Sequence, residues 1–219
     1  MVTTILGADE AGKGPTIGPL VMAGVIIPED KEHKFSDAGI TDSKQLSPQR
    51  REALVSTIKN LATKTKVIVI LPQEIDEHVL SDDSNLNHLE AIKIAKLINE
   101  LNPTKAFIDS PSPNLAAYKQ SLQELITTKT ELVCAHKADE KYPVVGAASI
   151  LAKVKRDEEI EKIKQKIGKD FGSGYPADPR TVAFLKKYYN TYPDIFRKSW
   201  SSYQKVLAAK KQYKLNQYL

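Results

Sequence analysis

Hydrophobic and polar positions alternate along the chain in patterns that predict both strands and helices. Short runs rich in Val, Ile and Leu predict five strands, over residues 2–6, 20–27, 66–71, 105–108 and 131–135. Apolar residues at helical spacing predict helices over residues 48–61, 84–101, 114–126 and 144–167. Ser47 and Pro48 mark the beginning of the first helix, because serine caps a helix N-terminus and proline suits its first position.

The order of these elements predicts an α/β fold. Three antiparallel strands, followed by alternating helices and strands, indicate a mixed five-stranded sheet flanked by helices. The composition changes after residue 170, where a Gly-rich turn is followed by two helical stretches rich in Lys and Tyr. We therefore expect an α/β domain of residues 1–170 and a helical C-terminal extension of residues 171–219.

Carboxylates stand at or just past the ends of three predicted strands. Asp9 and Glu10 follow the first strand, Asp109 follows the fourth, and Asp139 lies shortly after the fifth. Ligands of such sheets bind beyond the carboxyl ends of the parallel strands, so one cleft is expected to collect all four acids. Because like charges in one cleft require countercharge, and oxygen ligands favour hard cations, we expect Mg²⁺ or Mn²⁺ there. Two such ions can hydrolyse a phosphodiester.

A lysine between two glycines follows the first pair of acids. Gly12 and Gly14 lack Cβ, so backbone N–H groups and Lys13 can approach an anion closely, and phosphate is the expected ligand. The spacing also matches part of a nucleotide-binding P-loop. We set that alternative aside, because Gly14 stands where the P-loop needs Ser or Thr and Pro15 would break the helix that must follow.

The composition narrows the class of protein further. The 219 residues include one cysteine, which allows no internal disulfide. No stretch approaches the ~20 apolar residues of a membrane span and no signal-peptide pattern is present, so we expect a cytoplasmic protein. A net charge of +5, with basic residues concentrated near the C-terminal end, suits binding to a polyanion. Nothing in the sequence demands more than a monomer.

A series of ordered motifs resembles ribonuclease HII, most of all the archaeal type. The motifs are Asp-Glu-Ala-Gly-Lys-Gly-Pro at 9–15, Asp-Ser-Lys at 42–44, Asp-Ser at 109–110, His-Lys-Ala-Asp at 136–139 and Ala-Ala-Ser-Ile-Leu-Ala-Lys at 147–153. The resemblance spans nearly the whole chain and implies the ribonuclease H fold, with a C-terminal extension that helps to bind substrate. It also implies an endoribonuclease of DNA replication and repair, which hydrolyses the RNA strand of RNA-DNA hybrids. Such an enzyme also cuts on the 5′ side of ribonucleotides embedded in duplex DNA, leaving 3′-hydroxyl and 5′-phosphate ends.

The same resemblance implies catalytic roles for the four acids. Asp9, Glu10, Asp109 and Asp139 match the family's catalytic carboxylates, which hold two divalent ions, and the acid at position 9 bridges both ions.

The resemblance also implies residues that contact substrate. Family members usually carry arginine where this chain has Lys13, and the lysine keeps the charge but loses the planar fork of the guanidinium. Backbone contacts to the 2′-hydroxyl, which distinguishes RNA from DNA, need only Gly12 and Gly14. Tyr175 fits the tyrosine that lies over the sugar following the ribonucleotide. Phosphate contacts are implied for Ser43, Lys44, Lys153 and Arg156, with a solvated position on the surface as the alternative for each.

The end of the chain resembles a sliding-clamp binding peptide. Gln212, Leu215 and Tyr218 have the spacing of the residues that enter the clamp pocket, although Leu219 stands where an aromatic residue is usual. A short amphipathic terminal helix is the alternative, because Leu215 and Tyr218 share one helical face.

Two other functions stay open at this point. A different two-metal nuclease on a similar sheet would share the acids but would have no need of the glycine turn and Tyr175, and it would cut an all-DNA duplex. A non-catalytic hybrid-binding module would explain the basic, aromatic C-terminal region, but it would keep four acids where phosphates must bind.

Overall fold

The computed structural model describes residues 2–40 and 46–216. Within these ranges, five strands form one sheet: β1 (Thr4–Ala11), β2 (Leu20–Pro28), β3 (Lys64–Ile70), β4 (Lys105–Asp109) and β5 (Glu131–Ala135). The strand order is β3-β2-β1-β4-β5. Strand β1 is antiparallel to β2 and parallel to β4, and β4 is parallel to β5. The predicted mixed five-stranded sheet is confirmed.

The strand register explains why the predicted acids can meet. Ala8 of β1 pairs with Ile108 of β4, and Asp109 of β4 pairs with Ala135 of β5. Because β1, β4 and β5 are parallel, their carboxyl ends lie at the same edge of the sheet. Asp9 and Asp109 directly follow the last β1–β4 pair, and each stays paired with its other neighbouring strand. Asp9, near the end of β1, and Asp109, the last residue of β4, are therefore brought to adjacent positions at this edge.

Apart from short 3₁₀ turns at Glu29–Lys31 and Pro193–Ile195, α-helices occupy the remaining regular segments of the described ranges. They are α1 (His33–Asp37), α2 (Pro48–Leu61), α3 (Pro72–Val79), α4 (Leu86–Leu101), α5 (Leu115–Leu125), α6 (Ala138–Lys141), α7 (Pro143–Ile167), α8 (Pro179–Tyr188) and α9 (Ser201–Asn216). The predicted helices end within a few residues of these bounds, and the Ser47 hydroxyl caps α2 by accepting the Arg50 N–H at 3.2 Å. The sequence pattern did not predict α1, α3 and α6, which are too short to show a helical period. No helix in the described part of the chain combines the length and the apolar character that crossing a membrane requires.

The chain divides into two compact units, each assembled from three segments. Unit 1 comprises Met1–Ala11, Val21–Val69 and Leu86–Arg156, and unit 2 comprises Gly12–Leu20, Ile70–Asn85 and Asp157–Leu219. The predicted functional division at residue 170 stays a prediction.

The core of unit 1 lies on both faces of the sheet. On one face, Ala23 and Val25 of β2 belong to a buried cluster with Ala147, Ala148 and other residues of α7. On the other face, Gly24 lies against Leu97 and Leu101 of α4. The alternation of side chains along β2 therefore buries both sides of the strand.

The core of unit 2 is rich in aromatic residues. Phe184 of α8 contacts the rings of Phe171, Tyr188, Tyr192 and Phe196, with ring centroids 4.7 to 6.1 Å apart. The aromatic residues of the C-terminal region thus supply packing within this unit. Several lysines of this unit face solvent, namely Lys186, Lys187, Lys205, Lys210 and Lys211.

Candidate active site

Asp9 and Glu10 occupy successive positions near the end of β1, where they pair with Ala23 and Met22 of β2. Asp9 is 6% exposed, whereas Glu10 is half-buried. Because successive side chains of a strand project to opposite faces, the two carboxylates begin on different sides of the sheet. The backbone N–H of Glu10 donates to Oδ1 of Asp9 at 2.7 Å, so one acid helps to orient the other.

Asp109 and Asp139 are brought together by a short helix. Asp109 is the last residue of β4, and its Oδ1 accepts the backbone N–H of Ala138 at 2.7 Å. Lys137 adopts the left-handed conformation, with φ of 55°, and turns the chain from β5 into α6. Asp139 follows in the first turn of α6 and is 4% exposed. The four-residue helix α6 therefore places Asp139 beside the end of β4.

The environment of Asp9 works strongly against its negative charge. Burial raises the pKa of Asp9 to about 7, and the nearby carboxylates of Asp109 and Asp139 act in the same direction. Hydrogen bonds from the Ser149 side chain and the Glu10 N–H partly oppose that rise in pKa. Asp109 and Asp139 thus both lie close enough to Asp9 to disfavour its charge.

Glu10 and Asp109 have a common neighbour in Tyr118. Both carboxylates act on the phenol of Tyr118, which burial and these charges hold well above its usual pKa. Tyr118 of α5 is 5% exposed, as expected for a neutral ring packed among acids. Asp109 therefore interacts both with Asp9 and with Tyr118, the ring on which Glu10 also acts.

The chemistry of this cluster fits hard divalent cations. Its donors are carboxylate oxygens, the ligands that Mg²⁺ and Mn²⁺ prefer, and its accumulated negative charge requires a counterion. Within residues 2–40 and 46–216, no three acidic, histidine or cysteine side chains are already arranged so that they could hold a metal ion. The donor set is thus suitable, and the side chains would have to turn toward an ion that binds.

Of the four residues predicted to bind phosphate, two lie in the described part of the chain, and these two differ in exposure. Lys153 is half-buried on α7, while Arg156 is only 5% exposed, so little of its side chain reaches solvent. Ser43 and Lys44 lie outside the described residues. Phosphate contacts from these four residues stay predictions.

The glycine turn after β1 belongs to unit 2. Gly12 has φ of 89°, in the region that favours glycine, and is buried, while Gly14 is exposed. A Cβ added at Gly14 would lie 3.4 Å from Cε1 of Tyr175, so the turn and the tyrosine ring are neighbours. Two residue sets that the sequence suggested separately are thus adjacent in the structure.

The loop that carries Tyr175 is fixed by polar contacts on both sides. The carbonyl of Gly174 accepts the Thr16 N–H at 2.8 Å, and the Gly174 N–H donates to Oγ1 of Thr181 at 3.0 Å. Asp178 accepts the Ser173 N–H at 2.8 Å. The ring of Tyr175 is 38% exposed on this anchored loop, so it is available to a ligand.

Arg197 is a residue of this region that the sequence pattern did not single out as part of a site. Its side chain is fully buried, yet it carries a permanent charge. The guanidinium donates to the carbonyls of Gly12, Lys13 and Gly18 at 2.6, 2.9 and 3.0 Å. Trp200 adds a bond from Nε1 to the Gly14 carbonyl at 3.2 Å. A lone Arg in a basic stretch gives no local signal of its contacts, because they join residues 179 to 185 positions apart.

Comparison with known proteins agrees with the motifs and the fold. The family model described as ribonuclease HII matches residues 6–203. Ribonuclease HII of Methanocella arvoryzae is 45% identical over 219 residues, which cover 99% of this chain and 97% of that protein. The crystal structure of ribonuclease H2 from Pyrococcus horikoshii superimposes with a TM-score of 0.85 at 41% identity, covering 93% of this chain and 97% of that one. Ribonuclease HII of Archaeoglobus fulgidus, solved in complex with PCNA, gives a TM-score of 0.82 at 41% identity, covering 92% and 96%. The chain therefore belongs to the ribonuclease HII family and is an enzyme of ribonuclease H type 2.

Proposed function

We propose that this enzyme hydrolyses the RNA strand of RNA-DNA hybrids and cuts on the 5′ side of single ribonucleotides embedded in duplex DNA. The observation that carries the proposal is that Asp109, at the end of β4, and Asp139, in the helix that follows β5, both act on the buried carboxylate of Asp9 near the end of β1. Such a concentration of buried negative charge is costly for folding and is typical of a catalytic site.

The acids would hold the cations that the reaction requires. Asp9, Glu10, Asp109 and Asp139 would hold two Mg²⁺ or Mn²⁺ ions. Bound ions of this kind supply Lewis acidity toward the phosphate and the attacking water. Ser149 keeps the Asp9 carboxylate oriented through its hydrogen bond, and the Ala138 N–H does the same for Asp109.

The products follow from the direction of attack. Water adds to the phosphorus on the 5′ side of the ribonucleotide, and the bond to the 3′-oxygen of the preceding nucleotide breaks. The released strand ends in a 3′-hydroxyl, while the ribonucleotide keeps a 5′-phosphate.

Recognition of ribose is assigned to the unit 2 residues. The backbone N–H groups of the Gly12-Lys13-Gly14 turn would contact the 2′-hydroxyl, and the exposed ring of Tyr175 would lie over the next sugar. Their adjacency supports this assignment, because the two contacts must fall on neighbouring nucleotides. Ser43, Lys44, Lys153 and Arg156 would bind phosphates of the same duplex.

The C-terminal segment is proposed to bind a sliding clamp. Helix α9 extends to Asn216 and carries Gln212 exposed, while Tyr218 lies outside the described residues. The structure of the Archaeoglobus fulgidus relative with PCNA supports a partner of this kind.

Three labelled duplexes of one sequence test the substrate assignment: a continuous RNA-DNA hybrid, a DNA duplex with one ribonucleotide, and an all-DNA duplex. Each is incubated with Mg²⁺, with Mn²⁺ or with EDTA, and the ends are mapped. We expect cutting of the first two duplexes, 5′ of the ribonucleotide in the second, and none with EDTA.

Two results would contradict the proposal. Cutting of the all-DNA duplex would identify a general two-metal nuclease. Tight binding of hybrids without cleavage in either metal would identify a binding module.

A further inference from the structure

Three successive carbonyls of the glycine turn accept hydrogen bonds from two side chains. Arg197 binds the carbonyls of Gly12 and Lys13, and Trp200 binds that of Gly14. In a trans peptide group the N–H points away from the C=O. The N–H of Lys13 shares a peptide group with the Gly12 carbonyl, and the N–H of Gly14 shares one with the Lys13 carbonyl. Both N–H groups are therefore directed away from Arg197.

Arg197 is itself held rigidly within unit 2. Its backbone N–H donates to the Thr16 carbonyl at 2.8 Å, beside a β-bridge between Phe196 and Ile17. The guanidinium carbon lies 4.8 Å from the centre of the Trp200 ring, within cation-π range. The backbone hydrogen bond to Thr16 and the contact of the guanidinium with the Trp200 ring thus both constrain the orientation of Arg197.

The segment between Arg197 and Trp200 has a buried anchor. The carboxylate of Asp76, 8% exposed, accepts the backbone N–H groups of Lys198 and Ser199, both at 2.8 Å. It also accepts the Ser199 hydroxyl at 2.6 Å. This arrangement fixes the two residues that hold the turn.

We propose that Arg197, assisted by Trp200, is a positioning residue for ribose specificity. It sets the peptide planes of residues 12–14 so that the N–H groups of Lys13 and Gly14 face the 2′-hydroxyl of the substrate. The inference rests on the proposed function for its substrate. It explains how the turn works with lysine at position 13, since the backbone rather than a guanidinium at that position carries the recognition.

The chemistry requires arginine at position 197. A guanidinium presents several N–H donors in one plane, and here Nε, Nη1 and Nη2 each reach a different carbonyl. A lysine ammonium is a single point on a flexible stem and cannot hold three carbonyls in a fixed relation. The conservative substitution Arg197→Lys should therefore keep the charge but release the turn.

The test compares binding to a duplex with one ribonucleotide and to the same duplex made of DNA. Proteins carry Asp139→Asn to block cleavage, and Mg²⁺ is present throughout. We expect Arg197→Lys to lower the ratio of the two affinities by about tenfold, the order expected for one lost hydrogen bond. Binding to the all-DNA duplex should change less than about twofold, because phosphate contacts are retained.

Two further variants make the result specific. Trp200→Phe removes the bond to Gly14 and keeps an aromatic face beside Arg197, so it should lower the ratio by about threefold. Arg51→Lys is the matched control, because Arg51 is also buried and donates to a backbone carbonyl, that of Leu46, in unit 1. It should leave the ratio unchanged. The fluorescence of Trp200, the single tryptophan, should shift in Arg197→Lys while far-ultraviolet circular dichroism stays the same.

The outcomes separate this inference from the proposed function. An unchanged ratio in both Arg197→Lys and Trp200→Phe, or an equal fall in Arg51→Lys, would overturn the positioning role. If the protein with Asp139→Asn alone shows no preference for the ribonucleotide, and the unsubstituted enzyme does not cut that duplex, the proposed function itself fails.

Discussion

Asp9 is the residue of the site whose negative charge the folded protein disfavours most clearly, through burial and neighbouring acids. Its pKa of about 7 lies above the ~3.9 of an unfolded aspartate. Between these values the unfolded chain releases its proton while the folded protein keeps it. The free energy of unfolding of the metal-free protein should therefore fall as the pH rises from 4 to 7, by roughly 2 to 4 kcal/mol.

Denaturant unfolding in EDTA at pH 5 and pH 8 measures this effect. Asp9→Asn cannot ionise at this position, so it should be more stable than the parent at pH 8 and show a flatter pH dependence. Adding Mg²⁺ at pH 8 should restore stability to the parent, because the cation favours the charged carboxylate. If the free energy of unfolding has the same pH dependence in both proteins, the raised pKa of Asp9 is not its cause.

Single residues were predictable from sequence where a local motif marked them. Asp109 at a strand end and Tyr175 in a Gly-rich loop follow from short-range patterns, and the structure places them there. Asp9 was expected after a strand of residues 2–6, but β1 continues to Ala11 and includes Asp9, because the pairing with β2 extends past the apolar run. The contacts of Arg197 were not predictable, because residues far apart in the chain create them and no periodicity signals such pairing.

At the level of elements, the closeness of β1 and α7 depends on Gly7. A Cβ at this position would overlap the backbone carbonyl of Val144 at the start of α7. Because backbone atoms cannot move aside as a flexible side chain can, Gly7→Ala should lower the free energy of unfolding by about 3 kcal/mol or more. Urea denaturation of both proteins would measure the difference.

Gly24→Ala is the matched control on the neighbouring strand. There an added Cβ would meet only the methyl ends of Leu101 and Leu6, at 3.1 and 3.2 Å, which can shift. We expect a loss of about 1 kcal/mol or less. Equal losses for the two substitutions would show that the approach of α7 to β1 is not limiting.

Long helices were easier to predict from the sequence than short ones. Helix α2 matches its prediction because a cap and a proline mark its beginning and several turns show the helical period. Helix α6 has four residues and no period, yet it positions Asp139. A local pattern therefore located the acid in sequence but could not show how the chain folds around it.

For the whole molecule, the sequence predicted the sheet but not the grouping of segments. Residues 12–20 and 70–85 join the C-terminal part in unit 2, through contacts such as those of Asp76 with Lys198 and Ser199. Such long-range pairs leave no trace in composition or periodicity. The division into these two compact units is therefore a property of the three-dimensional structure that the sequence pattern does not predict.

Clamp binding is a prediction at this scale, because it concerns how the enzyme is recruited. A chain ending at Lys211 lacks Gln212, Leu215 and Tyr218 but keeps Tyr203 and Val206 in the core of unit 2. We expect its affinity for an archaeal sliding clamp to fall at least about tenfold, with cleavage of a single-ribonucleotide duplex retained. Unchanged clamp affinity in a binding titration would show that this segment is not the docking peptide.

The central claim is that the carboxylate cluster performs metal-dependent cleavage at ribonucleotides. The most direct measurement is the single-turnover rate on a duplex with one ribonucleotide in Mg²⁺, for the parent, Asp9→Asn and the exposed control Asp30→Asn. Loss of an outer-shell partner of a metal ligand costs about 10- to 100-fold, so loss of the ligand itself should cost more than about 100-fold. We predict that loss for Asp9→Asn and a parental rate for Asp30→Asn. A parental rate in Asp9→Asn would contradict the account.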